Sequence, residues 1–517
     1  MKNALINNTF WAGIELSAII ITGIILPRLF ITGMDMGQYG LFVTLSLFST
    51  YGVLSMMDFG MGGAVTTFVA KYHHTDCEKL RRLWTFSVFY FTGAAILATA
   101  AGGYIVYFHD PGIVSRIDSL GVDSHIIIPT ILMTTLTFLS YLGETFLYGF
   151  NDYKFTKQVT ILQSLLRLAL IYLVISTTQD LFVIIWLMAA LSFMRLVAIM
   201  TNLLLRYREF TVFRRIRLSE VKEWLHYSLV LLAGSLTGFI FNSMNRILIM
   251  LFLPVRAMGD FDVASKPQTL LKGILSALIS AIIPLSAHYT AAGRQEKIRE
   301  LFFRGTFWLN ILLLPPLAYI MVMMPELISV WLGPGHAGIS TYALLIISYF
   351  LFFAMPASLA NLILIGAGEA KRYIPVQIGA GFFALIFGVT GVLTMGLKGV
   401  VLAFLIGQII ANIGCLWVFF SHFGLSLYKH IIPFMLSYLK LLIPPFAIAW
   451  GARNIDPPLN IFGLTAGLIS CCAAGFGVYY LFFMRREEKD FLFAGLAALR
   501  KKQKIFRLAR PQDPDAR

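Results

Sequence analysis

Several things are scarce in this chain, and each scarcity excludes something. Charged residues make up only 13% of the 517 positions, against about 25% in a soluble domain. With 58% hydrophobic residues and a mean hydropathy of +0.78, a large soluble core is excluded and a polytopic membrane protein is expected. Cysteine is rare. Cys415, Cys471 and Cys472 lie in apolar segments and Cys77 in a basic loop, so neither a disulfide framework nor a CxxC metal site is expected. Enzyme signatures are missing too. No HExxH, GxSxG or P-loop occurs, and Gly333-Pro334-Gly335-His336-Ala337-Gly338 fits GxGxxG only between apolar spans, without the strand and helix that a dinucleotide site needs. The nine histidines are scattered, and His73-His74 is a loop pair without a ligand cluster. No cofactor and no metal is therefore expected, and the chain is not read as an enzyme.

What is present is a series of long apolar runs. A membrane span needs about 20 mostly apolar residues. Fourteen stretches qualify, near 9–31, 39–70, 83–108, 125–150, 157–177, 181–205, 225–252, 262–289, 301–324, 341–366, 373–395, 398–421, 433–452 and 460–484. Runs of this length predict helices and exclude the alternating ten-residue strands of a barrel. The first run ends at Pro27-Arg28 without a small-residue cleavage site, so it reads as a retained span. Of the 41 Lys and Arg, only Arg28, Arg116, Arg256, Lys266, Lys398 and Arg453 fall on one side; Arg167, Arg195, Arg246 and Lys272 fall within spans, and the rest share the other side with both termini. The positive-inside rule then makes both termini cytoplasmic. The net charge of +15 is explained by topology and anionic lipid headgroups, not by nucleic acid.

The chain also repeats itself. Gly149-Phe150-Asn151-Asp152-Tyr153-Lys154 recurs as Gly366-Ala367-Gly368-Glu369-Ala370-Lys371, Met36-Gly37-Gln38-Tyr39 as Met258-Gly259-Asp260-Phe261, and Glu78-Lys79-Leu80-Arg81 as Glu296-Lys297-Ile298-Arg299. The offset stays near 220 positions and covers six spans, an even number, so the halves are expected as parallel repeats. The expected organisation is an all-α integral membrane protein of about fourteen transmembrane helices. Six-helix bundles cover 1–222 and 223–424, two additional helices 425–484, and a basic cytoplasmic tail, read as amphipathic, 485–517. Duplicated membrane proteins of this kind are most often transporters with the substrate path between the halves.

Ionisable groups inside spans are candidate functional residues, because burying them is costly unless they are paired or hydrated. Lys272 lies about ten residues into the stretch 262–289. It shares a helical face with Ser265, Thr269 and Ser276, and the stretch 225–252 carries a similar stripe of Ser228, Ser235, Asn242 and Arg246. These stripes read either as walls of a polar cavity or as small residues that pack helices. Arg28 and Arg246, 218 positions apart, read as a repeat-related cation pair facing a shared path or as interfacial snorkelling residues. In the first half, Glu15, Asp58 and Glu144 are candidates to bind a coupling ion or proton; alternatively they are structural partners of Arg167 and Arg195.

Short motifs carry a family resemblance. Gly33-Met34-Asp35-Met36-Gly37-Gln38-Tyr39-Gly40 resembles the LG-x-x-x-YG loop of polysaccharide flippases, Asp58-Phe59-Gly60-Met61-Gly62-Gly63-Ala64 their D-x-G-x-G-x-A segment, and Ile283-Pro284-Leu285-Ser286 their P-L-S ending. Leu332-Gly333-Pro334 and Gly366-Ala367-Gly368-Glu369-Ala370-Lys371 have counterparts there as well. Thr66-Thr67 stands where that family often has a basic residue. The resemblance covers the whole chain. It implies an O-antigen-type (Wzx-like) flippase of the MATE-like MOP superfamily in the bacterial inner membrane. Such a protein moves undecaprenyl-diphosphate-linked oligosaccharide, alongside polysaccharide-assembly membrane proteins, with ion or membrane-potential coupling left open. Arg28, Arg246 and Lys272 would hold the diphosphate, with Arg167 and Arg195 as further candidate cations of the cavity. Two alternatives stand. A MATE-type cation or drug antiporter should prefer an acidic cavity, and a glycan polymerase or ligase should have a large outside loop.

Overall fold

The computed structural model describes residues 2–49, 58–108, 124–279, 282–455, 460–484 and 489; the expected amphipathic tail after 489 lies outside them. Every apolar stretch is helical over nearly all of its described residues, and several are divided into two helices. In chain order the helices are α1 (Lys2–Gly33), α2 (Met36–Ser49), α3 (Met61–Tyr72), α4 (Cys77–Phe108), α5 (Ile127–Gly149), α6 (Tyr153–Thr177), α7 (Leu181–Arg206), α8 (Leu218–Asn242), α9 (Met244–Phe252) and α10 (Val255–Ile279). They continue as α11 (Ile282–Ala291), α12 (Gln295–Val322), α13 (Met324–Leu332), α14 (Ile339–Ser348), α15 (Ala354–Gly366), α16 (Ala370–Met395), α17 (Leu397–His422), α18 (Leu427–Ile455) and α19 (Ile461–Val478). Among the described residues there is no strand, and ten spans are by themselves long and apolar enough to cross a bilayer, or eleven counting the bent pair α14 and α15.

Divided helices expose backbone groups that hydrocarbon cannot satisfy, so protein groups must do it. At the break before α15, Phe353 is left-handed (φ 61°) and the two helices bend by 55°. Asn412 of α17 donates to the freed Phe352 carbonyl at 3.0 Å. The break before α3 is handled in the same way. Phe59 (φ 46°) and Gly60 (φ 75°) are left-handed, Ser228 Oγ donates to the Phe59 carbonyl at 2.6 Å, and Tyr90 donates to the Asp58 carbonyl at 3.2 Å.

Lipid is as apolar as a leucine side chain, so helix association rests on close contact rather than on a hydrophobic driving force. Gly40 of α2 and Gly259 of α10 let those helices touch backbone to backbone: a Cβ on Gly259 would stand 2.9 Å from the Met36 carbonyl oxygen.

The sequence repeat is visible in the backbone. At the end of α5, Phe150 N donates to Phe146 O, Asn151 N to Tyr148 O and Asp152 N to Leu147 O. At the end of α15, Ala367 N donates to Ile363 O, Gly368 N to Ile365 O and Glu369 N to Leu364 O, each pair 217 positions later. Asn151 (φ 61°) and Gly368 (φ 78°) both adopt the left-handed conformation that closes a helix end. Gly149 packs on Thr66 and Val69, and Gly366 packs on Ile283 and Ser286, again displaced by 217.

By compactness the chain divides into one unit of 1–302 with 331–425 and a second of 303–330 with 426–517. The first contains the aromatic core around Phe91, Phe138, Phe146 and Trp224. In the second, the two additional C-terminal helices pack with the middle segment 303–330: Tyr319 donates to the Leu464 carbonyl at 2.9 Å and Arg453 pairs with Glu326 at 2.7 Å.

Candidate functional site

The charged residues of the first unit fall into two kinds of arrangement. The first is a set of matched pairs. Glu15 of α1 pairs with Lys157 of α6 at 2.6 Å. Arg195 of α7 reaches Glu144 of α5 at 2.8 Å and Gln163 of α6 at 2.8 Å, so three helices meet at one guanidinium. Asp58 has no cation partner among the described residues. Its Oδ1 accepts from Gly62 N at 2.6 Å and caps the first turn of α3, where a carboxylate also meets the positive end of the helix dipole. The D-x-G-x-G motif thus has a local explanation. Asp58 caps, Gly60 supplies the left-handed turn and the close approach to Ser228, and Gly62 leaves room for Tyr141.

The second arrangement centres on Asp262. This residue is 4% exposed and lies in the second turn of α10. Its Oδ2 accepts from Tyr39 Oη at 2.6 Å and from Lys266 Nζ at 2.8 Å, and its Oδ1 accepts from Arg246 at 3.1 Å. The geometry follows from local structure. Asp35 caps α2 through Gln38 N at 2.9 Å, which fixes Tyr39 in the first turn. The break at Ser243 restarts the helix as α9 and sets Arg246 in its first turn. Lys266 is one turn beyond Asp262. Arg167 of α6 lies within electrostatic reach of Tyr39. The Nε atoms of Arg167 and Arg246 are buried without hydrogen-bond partners. One carboxylate therefore meets two cations, a third lies near its phenol partner, and donors are left over. Such a cluster can take an anion, and guanidinium groups suit the oxygens of a phosphate.

Lys272 lies six residues beyond Lys266. The helix begins at Val255 rather than near 262, but α10 and α11 together run to Ala291, so Lys272 is still near the middle of the combined span. Its ammonium stands 5.4 Å from the Tyr349 ring centroid and 5.9 Å from that of Phe404, with no carboxylate partner among the described residues. Aromatic faces hold a cation without neutralising it.

The other candidates are placed as follows. Arg28 is exposed on α1, and among the described residues it has no ion pair, unlike its repeat counterpart Arg246. Ser265 donates to the Asp262 carbonyl at 2.7 Å and Thr269 to the Ser265 carbonyl at 3.0 Å, which ties both hydroxyls to their own helix. Ser276 is exposed. The side chains of Ser235 and Asn242 lie outside the described residues. Ser228, at the start of the same stripe, faces the break before α3. Asp262 and Tyr39 were missed as site residues by sequence reasoning. The Asp262–Lys266 spacing was a usable signal; the Tyr39 contact, across 223 positions, was not.

Comparison with known proteins gives a partial family match and a shared fold. Residues 34–290 match the polysaccharide biosynthesis protein family. That match covers just under half of the chain. The solved structure of the lipid II flippase MurJ in an inward closed conformation superposes with a TM-score of 0.70 over 92% of this chain and 98% of that one, at 13% identity. An inward-facing multidrug resistance MATE family transporter of the MOP superfamily gives 0.54 over 81% and 94%, at 18% identity. At these identities the likeness shows the fold. No curated protein sequence matches the chain. These two structural neighbours are a flippase and a transporter; of this chain the apolar helices show a multi-pass membrane protein.

Proposed function

We propose that the protein moves undecaprenyl-diphosphate-linked oligosaccharide from the inner to the outer leaflet of a bacterial inner membrane, for surface polysaccharide assembly. The observation that carries this reading is the surplus of half-buried cations around Asp262, within the segment that matches the polysaccharide biosynthesis protein family. A diphosphate is the anion such a cluster fits. Arg246, Lys266 and Arg167 would hold it, Lys272 would extend the cationic path along α10, and Arg28 would receive it at the exposed side. The lipid tail stays in the bilayer. Bundles 1–222 and 223–424 rock about the site to open it to either face, with both termini on the cytoplasmic side.

Asp262 has a place in this cycle. It is the internal anion that keeps the cations together while no substrate is bound, and the diphosphate competes with it for Arg246 and Lys266. This device lowers the resting cost of clustered positive charge in a low-dielectric interior. The MATE-type drug antiporter reading asks instead for an acidic cavity, and here cations outnumber the carboxylate.

The test is translocation of a fluorescent polyprenyl-diphosphate oligosaccharide in proteoliposomes. An Arg246→Ala/Lys272→Ala variant reconstituted at equal density should lose about 100-fold or more in rate, roughly 3 kcal/mol. Full activity in that variant would remove the site assignment. Efflux of cationic drugs by the unaltered protein, without lipid translocation, would favour the antiporter.

A further inference from the structure

The second compact unit contains a cavity that the transport reading does not use. It is a half-open pocket of about 210 Å³, lined by Phe303, Thr306, Phe307 and Asn310 of α12, by His430, Pro433, Ser437 and Leu441 of α18, and by Tyr479 just after α19. The α12 residues follow a helical face at i, i+3, i+4 and i+7, and so do the first three from α18 at i, i+3 and i+7. The two faces look at each other across the cavity. Thr306 is 1% exposed and Asn310 is 2% exposed. Among the described residues Thr306 Oγ1 and Asn310 Oδ1 have no hydrogen-bond partner, although both residues line the cavity. They sit 11 and 15 residues into α12, which is about 17–23 Å along the helix and within reach of the hydrocarbon core. An amide oxygen and a hydroxyl buried there without partners are costly, so the site calls for an occupant that supplies a donor and an acceptor.

The lining also says what that occupant is not. No Asp, Glu, Lys or Arg contributes to it, so a phosphate or carboxylate head would be desolvated without compensation. The hydrogen-bonding side chains of the lining are Thr306, Asn310, Ser437, His430 and Tyr479, and His430 Nδ1 is already engaged by the Ser426 carbonyl at 2.8 Å, which leaves few groups for a polyhydroxylated sugar. The remaining wall is aromatic and aliphatic.

We infer that this cavity binds an uncharged amphiphile with a hydroxyl head, of the diacylglycerol class. Its hydroxyl donates to Asn310 Oδ1 and accepts from Thr306 Oγ1, and its chains lie along Phe303, Phe307 and Leu441. The site is independent of the cation cluster, and the inference does not rest on the transport reading.

A diacylglycerol bearing a photoactivatable diazirine, added to the full-length protein in nanodiscs, tests this. Peptides containing 303–310 or 433–441 should be labelled. Unlabelled diacylglycerol should compete, and phosphatidylglycerol with the same acyl chains should not. Asn310→Leu and Thr306→Val should each cut labelling at these peptides by about fivefold or more. Leu441→Trp, which fills the space and leaves the hydrogen-bonding groups in place, should abolish it; this keeps the test valid if either polar variant misfolds. Unchanged labelling in Leu441→Trp, equal competition by phosphatidylglycerol, or no labelling of these peptides, as for a cavity that holds only water, would each overturn the inference.

Discussion

Glu144 and Asp262 are both buried acids in the membrane-embedded part of one chain, and their surroundings differ. Glu144 meets one cation, and that cation's remaining reach is taken by Gln163. Asp262 meets two cations and a phenol, with a third cation nearby and two guanidinium Nε atoms unpartnered. The first arrangement is balanced and holds α5, α6 and α7 together. The second carries excess positive charge and joins α2, α9 and α10 through bonds that, in the proposed cycle, an external anion replaces. A buried acid in a span is thus not by itself a functional residue. The balance of charge around it separates a staple from a site.

This contrast can be broken by substitution. The largest effect is expected at the balanced pair. Glu144→Gln leaves a buried guanidinium without its counter-charge and should cost about 3–5 kcal/mol, read as a lowered unfolding temperature in nanodiscs. Adding Arg195→Gln should recover much of the loss, and affinity for an inorganic pyrophosphate probe should stay unchanged throughout. If Glu144→Gln weakened pyrophosphate binding, the two arrangements would not be separate. At the unbalanced cluster, Asp262→Asn should do the reverse. Pyrophosphate should bind about tenfold more tightly, roughly 1.4 kcal/mol, while translocation slows because release is harder. Weaker binding in that variant would show Asp262 to be a structural organiser of the cations rather than their competitor.

The duplicated helix ends give a matched control between the halves. Gly149→Val and Gly366→Val each force a side chain against the packed partner helix. Each should cost about 1–3 kcal/mol by overpacking, and thermal unfolding should show shifts of similar size. A large inequality would mean that one repeat tolerates rearrangement there and the other does not.

The smallest effect is expected at His73, just after α3. Burial beside Phe150 and Phe210, followed by the neighbouring His74 ring, holds its imidazole below the usual range. The neutral form is favoured in the folded state. Stability from this group is therefore present above the unfolded pKa near 6.5 and is lost as pH falls from there towards the lower folded value. His73→Phe should flatten a shallow decline in unfolding temperature over that window. An unchanged decline would assign the acid sensitivity elsewhere.

Much of the fold was legible because the bilayer imposes a length and a composition on each span. The stretches 157–177, 181–205 and 398–421 match α6, α7 and α17 almost end to end. Breaks inside stretches were not legible. The stripe Ser228, Ser235, Asn242 and Arg246 assumes one continuous helix, and the interruption at Ser243 destroys that register. The individual charges were legible, since a cation in a span stands out in any sequence. Their partners were not. The Arg195–Glu144 and Tyr39–Asp262 contacts join positions 51 and 223 residues apart, and only helix packing decides which charges meet.

The matching ends of α5 and α15 have a further consequence. Their backbone hydrogen bonds agree position by position, while their sequences, Leu-Tyr-Gly-Phe-Asn-Asp and Leu-Ile-Gly-Ala-Gly-Glu, share little beyond a leucine and a glycine. The same joint is built twice from different residues. The two joints should therefore be interchangeable: a chain carrying 147–152 grafted over 364–369 keeps the same turn, since asparagine accepts the left-handed conformation that glycine now supplies. The duplication in this protein is a mechanical template, written in carbonyls and amides, that two different sets of side chains satisfy.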